Sequence, residues 1–138
     1  DVARDALSVG TFRATTGRDF GAYRCHSVGG SSKVGSDTGN SSNDGTFVHC
    51  GFRPAFVLVK AYTGAVQHWW LFDNKREGYN VDNDALFANL SSAEDSSDIL
   101  DLTSNGFKHR NSSAVANGGQ NYIFIAFAEM PFKYSQAR

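Results

Sequence analysis

Proline, methionine, cysteine and net charge are all scarce in this chain: its 138 residues include two Pro, one Met and two Cys, and carry a formal net charge of -1. A balance so near neutral supplies no basic field for a phosphate backbone, which sets nucleic acid aside as a partner. Long apolar runs are missing too. The longest, Ala55-Phe56-Val57-Leu58-Val59 and Tyr122-Ile123-Phe124-Ile125-Ala126-Phe127-Ala128, fall far short of the roughly 20 residues of a spanning helix, so no membrane insertion is expected. No Arg-led apolar segment with a small-residue cleavage site opens the sequence, and no secretory leader is expected. Without that oxidising context Cys25 and Cys50 are read as free, buried thiols and not as a bridge.

What the chain does have is 11 Phe, five Tyr and 14 Gly, a composition suited to aromatic-rich pleated surfaces joined by tight turns. Gly29 to Asn43 is rich in Gly, Ser, Asn and Asp and reads as a loop or linker. Before it, Thr11 to Ala14 and Gly21 to Val28 alternate weakly, as strands do, and Val2 to Val9 fits a short helical turn as well. After residue 45 the pattern sharpens. Strands are predicted at Thr46–Phe52, Ala55–Tyr62, His68–Asp73, Ala85–Leu90 and Tyr122–Glu129. Ile99 to Leu102 and Phe107 to Arg110 flank Asn105-Gly106, a pair that readily supplies the positive φ angles of a tight hairpin turn. A further turn is marked by Asn117-Gly118-Gly119, and Pro54 stands where a strand can begin without losing a ladder bond.

The runs after Pro54 and Asn121 are apolar on consecutive positions, which indicates strands covered on both faces. Phe56, Leu58, Ile123, Ile125 and Phe127 are therefore predicted to be largely buried. Such strands call for two packed sheets, or for a protomer that buries one face against its neighbours. The expected fold is all-β, an antiparallel β-sandwich of jelly-roll-like type, in a homo-oligomer. Residues 1–39 are read as an N-terminal arm or adaptor and residues 40–138 as the sandwich.

Few constellations suggest chemistry. Cys25-His26 and His49-Cys50 pair zinc-type ligands, but neighbours in extended chain point to opposite faces, while zinc sites space their paired ligands by two to four residues. A buried thiol beside an outward histidine is the expectation, and no metal or cofactor is predicted. His68 and His109 have no nucleophile motif near them and are read as packed or surface residues. Asp82, Asp84, Glu94, Asp95 and Asp98 lack the spacing of a calcium loop and read as solvated loop charge. Gly29-Gly30 lacks the following Lys-Ser/Thr of a phosphate-cradling loop. No catalytic residue is predicted.

The aromatic run His68-Trp69-Trp70-Leu71-Phe72 is the exception to this plainness. Strand geometry sends Trp69 and Leu71 to one face and Trp70 and Phe72 to the other, so one tryptophan belongs to the core and the other is free for a contact. An aromatic platform with a polar rim suits a sugar ring or a protein interface. The candidate recognition surface is Trp69, Trp70 and Tyr79, with Asp73 and Asn74 as the rim.

The segment Gly51-Phe52-Arg53-Pro54-Ala55-Phe56-Val57-Leu58-Val59-Lys60 resembles one that recurs in C-terminal domains of bacteriophage tail-fibre and other virion structural proteins. Further blocks follow in the same order: Trp69 to Asp73 with Asn74-Lys75-Arg76 and Tyr79-Asn80, Leu86 to Asn89 with Ser92-Ala93-Glu94, and Ser104 to Lys108. The stretch from Tyr122 to Glu129 with Pro131-Phe132-Lys133-Tyr134 is similar to the way many such proteins end, which makes Arg138 the expected natural C terminus. The resemblance covers Asn40 to Arg138 and leaves residues 1–39 outside it. It implies a structural, non-enzymatic component of a tailed-phage virion, assembled in the host cytoplasm as a homotrimer or other ring. A tail-fibre domain acting in assembly and host attachment leads, ahead of a capsid decoration or head-fibre protein and of a carbohydrate-binding module. The partners so implied are further copies of the chain, other virion proteins and host surface glycan.

Overall fold

The computed structural model describes residues 25–64, 67–76 and 84–131. Among these there are eight strands and no helix: β1 (Ser32–Thr38), β2 (Phe47–His49), β3 (Pro54–Ala61), β4 (Trp70–Asp73), β5 (Leu86–Phe87), β6 (Leu100–Thr103), β7 (Gly106–His109) and β8 (Asn121–Ala128). They form a five-stranded sheet in the order β1-β8-β3-β4-β5 and a three-stranded sheet in the order β2-β7-β6, antiparallel throughout. The all-β, two-sheet architecture follows from the strand-length periodicity. The readings of Val2 to Val9 and Thr11 to Ala14 lie outside the described residues.

One core lies between the sheets. The large sheet supplies Val57, Val59, Ala61, Trp70, Phe72, Tyr122, Phe124 and Ala126, and the small one Val48, Leu100, Leu102 and Phe107. The Phe107 and Phe124 rings meet edge to face across the gap, with centroids 5.3 Å apart at 78°. Such pairs add about 0.5–1.5 kcal/mol beyond the area they bury.

This core corrects the predicted one. Phe56, Leu58, Ile123 and Ile125 are only half-buried and Phe127 is 45% exposed, because all five point away from the small sheet. The central position of β3 and β8 agrees with the prediction; the face does not. Alternation places one set of side chains on each side of a strand, but a run that is apolar throughout does not say which set meets the second sheet.

Two further expectations change. Gly29 to Asn43 is not all linker, because β1 lies within it and pairs along its whole length with β8, from Ser32↔Phe127 to Thr38↔Asn121. A boundary at 39/40 therefore cuts a strand from its own sheet. β1 is weakly apolar and is recruited by the free ladder groups of β8, a contact some ninety positions away in sequence. Gly35 belongs to that docking, since a Cβ there would lie 2.9 Å from the Phe124 ring. The β6–β7 hairpin forms as predicted, but Ser104 and Asn105 lie between its strands and Gly106 is the first residue of β7. Neither Asn105 nor Gly106 has a positive φ. Glycine is required at 106 because a side chain would collide with the Val48 carbonyl of neighbouring β2.

Phe107→Ala is expected to cost about 3–5 kcal/mol, as large-to-small changes of buried aromatics do. The neighbouring Lys108→Ala, on the opposite face, should cost less than about 1 kcal/mol. Urea unfolding followed by circular dichroism measures both, and equal losses would contradict the assigned faces.

Candidate recognition and assembly surface

The two tryptophans separate as strand alternation predicts. Trp70 is on the inner face, 6% exposed, with its ring 4.6 Å from that of Phe87, so it belongs to the core and has no place in a recognition surface. Trp69 is half-buried on the outer side, with the Lys60 ammonium 5.1 Å from its ring centroid. Its backbone N–H donates to Asn89 Oδ1 at 2.9 Å, which fixes the entry to β4 against the turn after β5. Tyr79 lies outside the described residues.

The predicted polar rim is structural. Asn74 is buried; its backbone N–H donates to the Ala55 carbonyl and its Nδ2 donates to Glu129 Oε1 at 2.9 Å, which ties the end of β4 to the ends of β3 and β8. Asp73 accepts from the backbone N–H groups of Lys75 and Arg76 and from Arg76 Nε at 2.6 Å. Burial raises the Asp73 carboxyl, but these hydrogen bonds outweigh it and hold the group below its ordinary value. Arg76 also reaches Glu94, so part of the acidic stretch is engaged in an ion-pair network.

The register of the large sheet reveals a feature of its outer face that the sequence reading did not assemble. Val34 pairs with Ile125, Ile125 with Leu58, Leu58 with Leu71, and Leu71 with Leu86. Paired residues share a face, so one aliphatic row crosses all five strands. The row is closed at its β1 end, where Val34 is 3% exposed, and open at its β5 end, where Leu86 is 39% exposed. One flanking row holds Ser32, Phe127, Phe56 and Asp73, and the other holds Ser36, Ile123 and Lys60, with Trp69 two residues along β4's line from Leu71. The outer face of the small sheet is different in kind. Phe47, His49, Lys108, Asp101 and Thr103 lie there, and Lys108 pairs with Asp44 while Arg110 pairs with Asp101.

Among the described residues, His109 and Asn117 are polar side chains fully enclosed in the fold. His109 lies on the same face of β7 as Phe107, with its Nε2 3.8 Å from Asp37 Oδ2; its Nδ1 has no hydrogen-bond partner. Burial pushes its pKa down to about 4, against a smaller upward pull from Asp37. The two-residue spacing from Phe107 was the available signal for this burial. Asn117 is the other. Its Nδ2 donates to Asn40 Oδ1, the Ser42 carbonyl and the Asn111 carbonyl at 2.7–3.0 Å, its Oδ1 accepts from the Asn40 N–H, and its carbonyl accepts from the Ser41 N–H. This one side chain clasps the β1–β2 loop to the β7–β8 loop.

Cys25 and Cys50 are both free. On the β2 line His49 is exposed and Cys50 buried, as alternation predicts, and burial pushes the Cys50 thiol up to about 11, with Lys33 pulling weakly the other way. Among the described residues, no three His, Cys, Asp or Glu side chains gather to hold a metal ion.

The fold and this surface define a small all-β domain of two antiparallel sheets, solvated on the outside of one sheet and apolar on the outside of the other. The chain belongs to the family described as a domain of unknown function, DUF7483, whose sequence model matches residues 1–131 and so lies on both sides of the expected 39/40 boundary. No curated protein and no solved structure matches it.

The buried His109 gives a pH dependence with a definite sign. Its folded pKa is depressed, so between about pH 6.5 and pH 4 the unfolded chain binds a proton that the folded chain refuses, and stability falls as pH falls through that window. The group should remove on the order of 3 kcal/mol by pH 4 and little further below it. Unfolding free energies measured from pH 7 to 4 for the natural chain and His109→Gln test this: the difference between them should change across the window, and a constant difference would contradict it.

Proposed function

We propose that this chain is a structural, non-catalytic component of a tailed-phage particle, a C-terminal domain of a tail fibre or comparable surface fibre that works as a homo-oligomer. The observation that carries the reading is the aliphatic row on the outer face of the large sheet, Val34-Ile125-Leu58-Leu71-Leu86. Where this face is open, at Leu86 (39% exposed) and Phe127 (45% exposed), its apolar character suits contact with other protein. The virion context comes from the sequence blocks that resemble tail-fibre domains. Two of them, Gly51 to Lys60 and Tyr122 to Glu129, form or enter β3 and β8, the central pair of that same sheet.

Host attachment through glycan stacking on Trp69 is the weaker reading, because Lys60 stands over that ring. A cation there favours a protein contact over an open sugar platform. The test is compositional. Particles purified from an infected culture that produces this chain should contain it in fixed copy number, by quantitative mass spectrometry and by antibody labelling in the electron microscope. Its presence in the lysate with consistent absence from particles would overturn the proposal.

A further inference from the structure

We propose that His109 is the trigger of an acid-sensitive latch: protonation of its ring frees the β1–β2 loop, residues 39–46, from the seam between the sheets while the rest of the sandwich stays folded. The latch is a property of the fold and stands apart from the virion reading.

The observation that carries it is the setting of the ring. The imidazole is enclosed at the seam with Nδ1 unpartnered and with Nε2 3.8 Å from Asp37 Oδ2, beyond hydrogen-bond reach. A charged imidazole has two N–H donors to satisfy, and neither ring nitrogen has an acceptor here. Asp37 Oδ2 already accepts from the Thr46 hydroxyl. A buried cation without acceptors costs far more than a neutral ring, so a proton can be taken up only if the ring gains access to water. Asp37 on β1 is the charged group that faces the ring, and its attraction for the proton is outweighed by burial. The other surroundings are neutral in acid. On β8 the Tyr122 ring lies 6.3 Å away, with its own pKa raised by burial; on β7 the Phe107 ring meets His109 edge to face; and Leu100 of β6 pairs with it. Lys108 is on the opposite face of β7, paired with Asp44.

The loop is the part that can give way. The Thr46 carbonyl accepts from the His109 N–H at 3.0 Å, and Gly45 lies so close to the His109 carbonyl that a Cβ there would be 2.5 Å from its oxygen. Loop and histidine are thus in direct contact. Residues 39–46 include no aliphatic or aromatic residue, and Asn40 to Asp44 are exposed, so lifting the loop uncovers little apolar surface. Movement of β7 would instead draw Phe107 out of the core. The loop's other ties do not change with acid. The N–H groups of Gly39, Asn40 and Ser41 donate to Gln120 and Asn117, all neutral, and the hydrogen bond from Lys108 holds the Asp44 carboxyl below its ordinary value.

Hydrogen exchange of the full chain, read residue by residue by NMR and corrected for intrinsic rates, tests the latch. The amides of Asn40, Ser41 and His109 should be less protected than those of β3 and β8, and should lose at least about tenfold more protection between pH 7 and pH 5. Urea below the unfolding transition should scarcely change their exchange at pH 5 while it speeds that of β3 and β8, because a local opening exposes little surface. His109→Gln should remove the pH response of the three loop amides, and His49→Gln, at an exposed position, should leave it intact. The urea comparison uses the natural chain alone, so it decides the matter even where His109→Gln does not fold. Loop amides that exchange only with the core, that show no response to pH, or that keep their response in folded His109→Gln would overturn the proposal.

Discussion

The Phe124 ring is packed against Gly35 of β1 on its own sheet and meets Phe107 of β7 on the other, and this contact between sheets governs the rest of the molecule. Once Phe124 faces the small sheet, the period of two along β8 commits Tyr122 and Ala126 to the core with it and turns Ile123, Ile125 and Phe127 outward. Pairing then transmits the same choice to β3, β4 and β1. A single steric decision therefore creates both the core and the apolar outer face.

Polar groups complete what the aromatic contact begins. The loops that join the two sheets carry backbone groups that need partners once they are enclosed, and Asn117 answers several of them at once. Gly45 leaves it room, since a Cβ there would lie 2.7 Å from the Asn117 amide nitrogen. Asp37 bridges the sheets in a second place, where it accepts from Thr46 Oγ1 and faces His109 across 3.8 Å. Tyr122 does similar work with its hydroxyl, which donates to the Ala114 carbonyl at 2.8 Å.

The two outer faces show how such a fold divides its labour. The small sheet is covered by ion pairs that keep it solvated, and ion pairs at the surface contribute little to stability, so their value there is solubility. Among the described residues, no ion pair of this kind lies on the central row of the large sheet. Aliphatic side chains in register across five strands are costly to leave in water, at roughly 25 cal/mol for each Å². That cost is the physical reason for proposing that the face meets other protein.

Several features were legible in the sequence alone. Local alternation and turn chemistry specified strands, the hairpin before residue 110, the split of Trp69 from Trp70 and the burial of Cys50 beside an exposed His49, because each depends only on neighbours along the chain. Which face of β3 and β8 became the core was decided by tertiary structure, since Val57 and Leu58 are equally apolar and only the position of Phe107 tells them apart. The strand at Ser32–Thr38 was decided the same way, by an open ladder edge on β8 and not by its own composition. So was the aliphatic row. Its members are spread from Val34 to Ile125, and no local pattern reveals that pairing register places them side by side.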